Sequence, residues 1–258
     1  MITSAQNSKI KLVRALSGRA KERRQAAAFL AEGVRLVEEA IHSHWGFQFV
    51  LYDESLGEKG KSQIESLRSR GVDVEEVSTN LMRSISETET PQGILAVLNV
   101  SLLPIPDSPN FLLIPDQVRD PGNLGTLLRT AAAAGVQAVL IPPETTDAFA
   151  PKVVRSGMGA HFRLPIHSVS WDEVEKLTQG INVFEADMDG QSCWETDLRP
   201  PLALIVGSEA EGASESAHKL AGMKITIPMT GNMESLNAGV AGSVLMMEVV
   251  RQRSNGLP

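Results

Sequence analysis

Cysteine is almost missing from this 258-residue chain: Cys193 stands alone. A single thiol closes no intrachain disulfide and founds no cysteine metal centre, so the fold has to rest on its core. Aromatic residues make up only 4%. Phe29, Trp45, Phe47, Phe49 and Tyr52 fall in the first hundred residues, and most such rings are needed for packing, which leaves few for stacking on bases. No apolar run approaches the roughly 18 residues a membrane helix needs. The opening MITSAQNSKIKLVRAL lacks the apolar stretch of a secretory signal, so the expected location is the cytoplasm, with no membrane partner. No G-x-G-x-x-G occurs, and the loop LIVGSEAEG has no G-K-S/T, which disfavours an ordinary nicotinamide or nucleotide enzyme. The five histidines are scattered, His42 and His44 near one predicted helix end among them, and no metal is expected.

What is present is ordinary in amount and uneven in place. Hydrophobic residues are 42% and charged residues 21%, enough for a sizeable core. The net charge is −7, yet residues 1–31 carry seven cations against Glu22 alone, a net +6 that leaves −13 on the rest. Attraction between charges fades within ~8–10 Å in physiological salt, so a local basic segment can hold phosphate on an acidic body. A solvated helix face explains the same residues equally well. The stretch VLNVSLLPIPDSPN is rich in proline and polar residues and reads as a linker at 99–110, between a part at 1–98 and a part at 111–258.

The second part alternates short apolar runs with helical patterns. Strands are predicted at Phe111–Ile114, Ala138–Ile141, Ile181–Glu185, Leu202–Val206 and Ile225–Ile227, and helices at 121–134, 149–158, 172–179, 213–221 and 235–253. Such alternation makes an α/β domain with a mostly parallel sheet. The first part is a smaller α/β unit, with helices at its start, near 32–43 and near 60–70, and strand-like runs at 47–52 and 93–100. Ligands of parallel sheets sit outside the carboxyl ends of the strands, so the loops there are the places to search.

Three loops stand out. In DQVRDPGNLGTLLRTAAAAG, Asp120-Pro121 starts a helix, Leu124, Leu127, Leu128 and Ala131 form a core stripe, and Gly122, Gly125, Thr126 and Arg129 are expected on the other face. LIVGSEAEG puts Gly207 and Gly212 around two glutamates. Like charges there repel phosphate, so an adenosine cofactor without phosphates suits it better. In IPMTGNMESLNAGVAGSVLMMEVVRQR, Ile227-Pro228 ends a strand, Gly231-Asn232 turns, and Ser235 is the expected helix cap. Leu236, Val240, Val244 and Met247 are spaced as a core stripe. The small residues 238–243 cost a helix about 1 kcal/mol per glycine, so a ligand, a partner helix or a threaded chain is expected to come close. Each loop alone also fits a plain surface or packing role.

Together the loops resemble the SpoU (TrmH-like) family of RNA ribose 2′-O-methyltransferases. The resemblance rests on Asn123, Gly125 and Arg129 in NLGTLLRTA, on Gly207, Glu209 and Gly212 in VGSEAEG, and on Ser235, Leu236 and Asn237 in ESLNAG. VVRSGMGAHFRLPI and TPQGILAV add to it, and FLAEGVRLVEEAI resembles a ribosomal-protein-like RNA-binding domain. Ala238 and Gly239 stand where the family often has valine and serine, and Ser208 where asparagine is common.

That resemblance implies a deep trefoil knot near the carboxyl end, a homodimer, and S-adenosylmethionine held by the backbone near Gly207, Gly212, Ile227 and Leu236. It implies methyl transfer to a ribose 2′-hydroxyl, in ribosomal RNA ahead of transfer RNA, with Arg129 as the central residue and Asn123, Glu209, Ser235 and Asn237 around it. Arginines stay protonated in proteins, so a phosphate clamp and alkoxide stabiliser suits Arg129 better than a base. Lys9, Lys11, Arg14, Arg23 and Arg24 would contact RNA, and a truncation lacking residues 1–98 would keep the cofactor site. The alternatives are an RNA-binding protein with an inactive methyltransferase fold, and methylation of a base.

Overall fold

The computed structural model describes residues 1–209, 211–231 and 235–254. No helix among them is long and apolar enough to cross a membrane. They form two units, Met1–Ser101 with Phe149–Phe162, and Leu102–Ala148 with Arg163–Pro258.

In the first unit, α1 (Ser8–Gly18) opens where the Asn7 side chain accepts the Lys9 amide at 2.9 Å, the usual satisfaction of a free helix N–H. It buries Ile10, Val13 and Leu16. There follow α2 (Ala20–Ala26), β1 (Ala28–Glu32), α3 (Val34–His42), β2 (Phe47–Tyr52), α4 (Glu58–Ser69), β3 (Val74–Glu76), α5 (Thr79–Ile85) and β4 (Ile94–Asn99). The sheet order is β1-β4-β2-β3, with only β2 and β3 parallel. Strands β1 and β3 and helix α5 were not expected from sequence. The alanines before Phe29 hide a five-residue strand inside a helix-like composition.

Leu30, Phe49, Leu51, Leu95 and Val97 pack on one side against Ile10, Val13 and Leu16. Phe29 belongs to a separate aromatic group. Its ring lies 6.4 Å from Trp45, 5.1 Å from Phe149 and 6.3 Å from Phe162. That group is the physical reason the segment Phe149–Phe162, read from sequence as part of the second half, folds into the first unit. Its helix Pro151–Gly157 buries Val153 and Val154. Cutting the chain after residue 98 would strip these side chains of their partners, so the expected clean truncation does not follow from this fold.

The second unit runs β5 (Phe111–Pro115), α6 (Pro121–Ala134), β6 (Ala138–Ile141), then α7, the excursion helix Pro151–Gly157, and β7 (Ile166–Ser168), α8 (Trp171–Leu177), β8 (Asn182–Ser192), β9 (Leu202–Val206), α9 (Glu215–Leu220), β10 (Met223–Thr226) and α10 (Ala238–Ser254). All six strands are parallel, in the order β10-β8-β9-β5-β6-β7. Every residue of FLLIP and LALIV is buried, as strands covered on both faces require. The order changes direction between β5 and β9. Strand β8 is longer than expected because its register on β10 jumps: Lys224 faces Glu185, while Ile225 faces Gln191. Residues 186–190 bulge between these pairs, Ala186 still paired with Val206 of β9, and a Cβ on Gly190 would stand 2.5 Å from the Ile225 nitrogen. The three-residue β7 was too short to read.

Helix α10 and its packing on α6 correct three expectations. The core stripe is Ala238, Gly239, Gly242, Leu245, Met246 and Val249. The expected stripe points away: Leu236, Val240 and Met247 are 37%, 46% and 48% exposed, and Val244 is half-buried. The helix is apolar on both sides, so spacing alone could not choose. Its small face lies on α6, where a Cβ on Gly239 would come within 3.3 Å of the Asn123 Cα and the Thr126 Cβ, and one on Gly242 would run into Leu127. The close approach therefore comes from a partner helix, and Gly125 of α6 is buried instead of facing solvent. The cap is Asn237, whose side-chain oxygen accepts the Val240 amide at 3.2 Å, and Ser235 precedes it. The expected turn at Gly231-Asn232 lies partly outside the described residues.

Candidate active site

The loops after β5 and β9 and the segment before α10 converge at the carboxyl edge of the sheet, where the strand order reverses. That is the usual ligand position of open parallel sheets. Asp120 caps α6 by accepting the Asn123 amide at 2.9 Å. The cap leaves the Asn123 side chain free to donate to Glu209 Oε1 at 2.6 Å. Asn237 Nδ2 donates to Asn123 Oδ1 at 2.9 Å and also to Glu209 Oε1. The Ala238 amide adds a third donor to that oxygen at 3.0 Å. Glu209 thus ties Asn123 and Asn237, 114 positions apart in the chain, by charge-assisted bonds.

Behind the tie, Gly207 has a mechanical task. A Cβ there would stand 2.5 Å from the Ala213 nitrogen, because Ser208 and Gly212 are tied by paired backbone hydrogen bonds of 2.8 and 3.1 Å. Gly212 adopts φ +71°, a conformation glycine reaches without strain. The same two glycines let their own loop close. Asp116, fully buried, accepts the Ser214 amide at 2.6 Å and fixes the loop from below.

A cavity of about 410 Å³ opens beside this loop, within the range of small-molecule sites. Gly207, Glu209, Gly212, Ile227, Ser235 and Leu236 line it, together with the apolar Val206, Ile225 and Leu245. Asn123 and Asn237 sit at the tie and not in the lining. Arg129 is exposed on α6, and among the described residues no hydrogen bond or ion pair engages it.

Sequence reasoning missed one wall. Ala186, Asp187 and Met188 of the bulged part of β8 line the cavity with His218 and Lys224. Lys224 Nζ lies 2.6 Å from Asp187, and His218 Nδ1 lies 2.8 Å from the buried Glu185. Lys224 holds the Asp187 carboxyl below its usual range. The Asp-Gly pair in ADMDG was a turn signal that could have marked this break in β8. Cys193, buried near Glu248, has its thiol pushed up to about 11, chiefly by burial, which makes it a poor nucleophile.

The cations of the first unit divide. Lys11, Arg14 and Arg24 are exposed, and Arg14 donates to Ser84 Oγ at 3.3 Å. Lys9 lies 2.5 Å from Asp73 and 2.8 Å from Glu75. Arg23 is 4% exposed and donates to the carbonyl of Leu16 at 2.6 Å. Those two serve the fold and offer little to a ligand.

The chain matches known proteins along nearly its whole length. The SpoU rRNA Methylase family matches residues 110–247, and the MRM3-like substrate binding domain matches residues 7–96. The 23S rRNA (guanosine(2553)-2′-O)-methyltransferase RlmP of Bacillus subtilis is 36% identical over 95% of this chain and 97% of its own. A 23S rRNA (uridine(2479)-2′-O)-methyltransferase of Streptomyces viridochromogenes is 30% identical over 98% and 93%. The crystal structure of the SpoU methyltransferase AviRb from Streptomyces viridochromogenes, in complex with AdoMet, superposes with a TM-score of 0.83 at 28% identity, covering 97% of this chain and all of that one.

Proposed function

The chain belongs to the SpoU rRNA methylase family, and from that premise we propose that it transfers a methyl group from S-adenosylmethionine to a ribose 2′-hydroxyl of ribosomal RNA, in the cytoplasm. The observation that carries this reading is the Asn123–Glu209–Asn237 tie, which joins three separate loops beside one cavity. The cavity suits the cofactor on chemical grounds. Its walls are largely apolar, its carboxylates Glu209, Glu211 and Asp187 favour a sulfonium cation, and its one lysine is already paired. Backbone at Gly207, Gly212, Ile227 and Leu236 would hold the adenosyl and methionyl parts.

S-adenosylmethionine supplies an electrophilic methyl group. The protein has to align the ribose oxygen with it, and alignment of two reacting groups is worth up to ~7–11 kcal/mol. Arg129, unpartnered among the described residues, grips the phosphate next to the target ribose. Its positive charge would then stabilise the oxygen as the hydroxyl proton passes to solvent water. Glu209, with three donors on one oxygen, keeps Asn123 and Asn237 in place, and Ser235 completes the rim. Lys11, Arg14 and Arg24 supply affinity for RNA that is independent of base sequence.

A second copy of the chain covers the exposed Leu236, Val240 and Met247. Such a row on a soluble surface marks a partner. Val240→Asp should halve the mass found by light scattering, and an unchanged mass would remove the dimer from the reading. The function itself is tested by incubating the protein with labelled S-adenosylmethionine and ribosomal RNA, then mapping the label. Resistance to alkali at the labelled nucleotide is expected, because a 2′-O-methyl group removes the attacking hydroxyl. Label at an alkali-sensitive nucleotide would mean a base is methylated.

A further inference from the structure

The stretches 116–129, 204–212 and 227–239 carry five carboxylates and only two cations, Arg119 and Arg129. A polyanion that reaches this site meets repulsion unless those two cations answer it. Arg129 has its role under the proposed function, whereas Arg119 has none.

Arg119 lies between β5 and α6, one residue before the cap Asp120. Its guanidinium is 3.3 Å from Glu144, in the loop after β6, and 3.6 Å from Glu211, in the loop after β9. All three side chains are more than half exposed. Pairs so open to water contribute little to stability and are screened by salt. They keep the arginine oriented without committing it. The backbone under the group is, by contrast, well fixed. Thr145 Oγ1 donates to the Pro115 carbonyl at 2.8 Å, and the Thr146 amide to that of Val118 at 3.0 Å. Gln117 and Glu144 hold φ of +53° and +68°, unfavourable for side chains with a Cβ and characteristic of functional loops. A planar guanidinium also matches phosphate with two parallel donors, better than it matches two carboxylates at these distances.

We propose that Arg119 is an RNA-phosphate contact at the mouth of the site, a positioning residue that exchanges Glu144 and Glu211 for a backbone phosphate of the bound RNA. The proposal rests on the reading that RNA is the substrate. The helix rise of about 1.5 Å per residue separates Arg129 from the first turn of α6 by roughly 12 Å, so the two arginines would hold different phosphates of one strand.

The test is the salt dependence of binding to a ribosomal RNA transcript, by filter binding, for Arg119→Gln, Arg119→Lys and Glu144→Gln. Wild type must first bind S-adenosylmethionine and methylate RNA, and its failure there would strike the proposed function and not this one. Arg119→Gln should weaken RNA binding by roughly fivefold and reduce the slope of log K against log salt by about 0.7–1. Arg119→Lys should keep the slope, and Glu144→Gln should bind as wild type or tighter. Cofactor affinity by calorimetry should stay within twofold in all three. An unchanged slope for Arg119→Gln, with or without lost affinity, or a loss of cofactor binding in that variant, would reduce Arg119 to a brace and overturn the proposal.

Discussion

In the first unit, seven cations lie within the first 24 residues, and the fold uses two of them itself. Lys9 answers Asp73 and Glu75, and Arg23 answers main-chain carbonyls. In the second unit, the stretches 116–129, 204–212 and 227–239 carry two arginines, Arg119 weakly engaged and Arg129 without a partner among the described residues. The many cations of the first unit suit capture of RNA at a distance. The few in the second suit placement of one nucleotide, where excess positive charge would bind RNA in the wrong register. Binding and transfer should then be separable by mutation.

The widest separation is expected at Arg129. Arg129→Ala should lower methyl transfer at saturating RNA by roughly 10²–10³-fold, the usual size of a lost charge-stabilising donor, with cofactor affinity by calorimetry unchanged. The joint replacement Lys11→Gln, Arg14→Gln and Arg24→Gln should act on the other side of the comparison. RNA affinity at low salt should fall by about tenfold or more, and the log–log salt slope should flatten by about 2. Arg23→Met marks the boundary between the two uses. It should leave that slope unchanged, yet cost roughly 1–3 kcal/mol of stability, because a buried carbonyl loses its donor. A melting curve reads this directly. Smallest is Gly242→Ala, which crowds Leu127 between α10 and α6. A cost of about 1–2 kcal/mol is expected, with methyl transfer intact at permissive temperature.

The sequence was legible where pattern and length agreed. The stripe of α6, the strands Ala138–Ile141 and Leu202–Val206, and the cap at Asp120 each combine a strong period with a chemical stop signal. It was ambiguous where a helix is apolar on both sides: residues 236–247 held two stripes, and only packing on α6 tells which is inside. Short elements such as β3 and β7 carry too few residues for any period. The Arg23 guanidinium and the Asn123–Glu209–Asn237 tie depend on contacts between distant positions. No local reading gives those, although the resemblance of the three motifs brought the same three polar residues forward. The wall formed by Asp187, His218 and Lys224 lay outside every motif considered.

One measurement tests the separation of capture from transfer most directly: the methyl-transfer rate at rising ribosomal RNA concentration, compared between Arg129→Ala and the triple Lys11, Arg14, Arg24 variant. The triple variant should climb to the wild-type rate once RNA saturates it, while Arg129→Ala should plateau at least a hundredfold below. A triple variant that plateaus low, or an Arg129→Ala protein that recovers full rate with more RNA, would contradict the account.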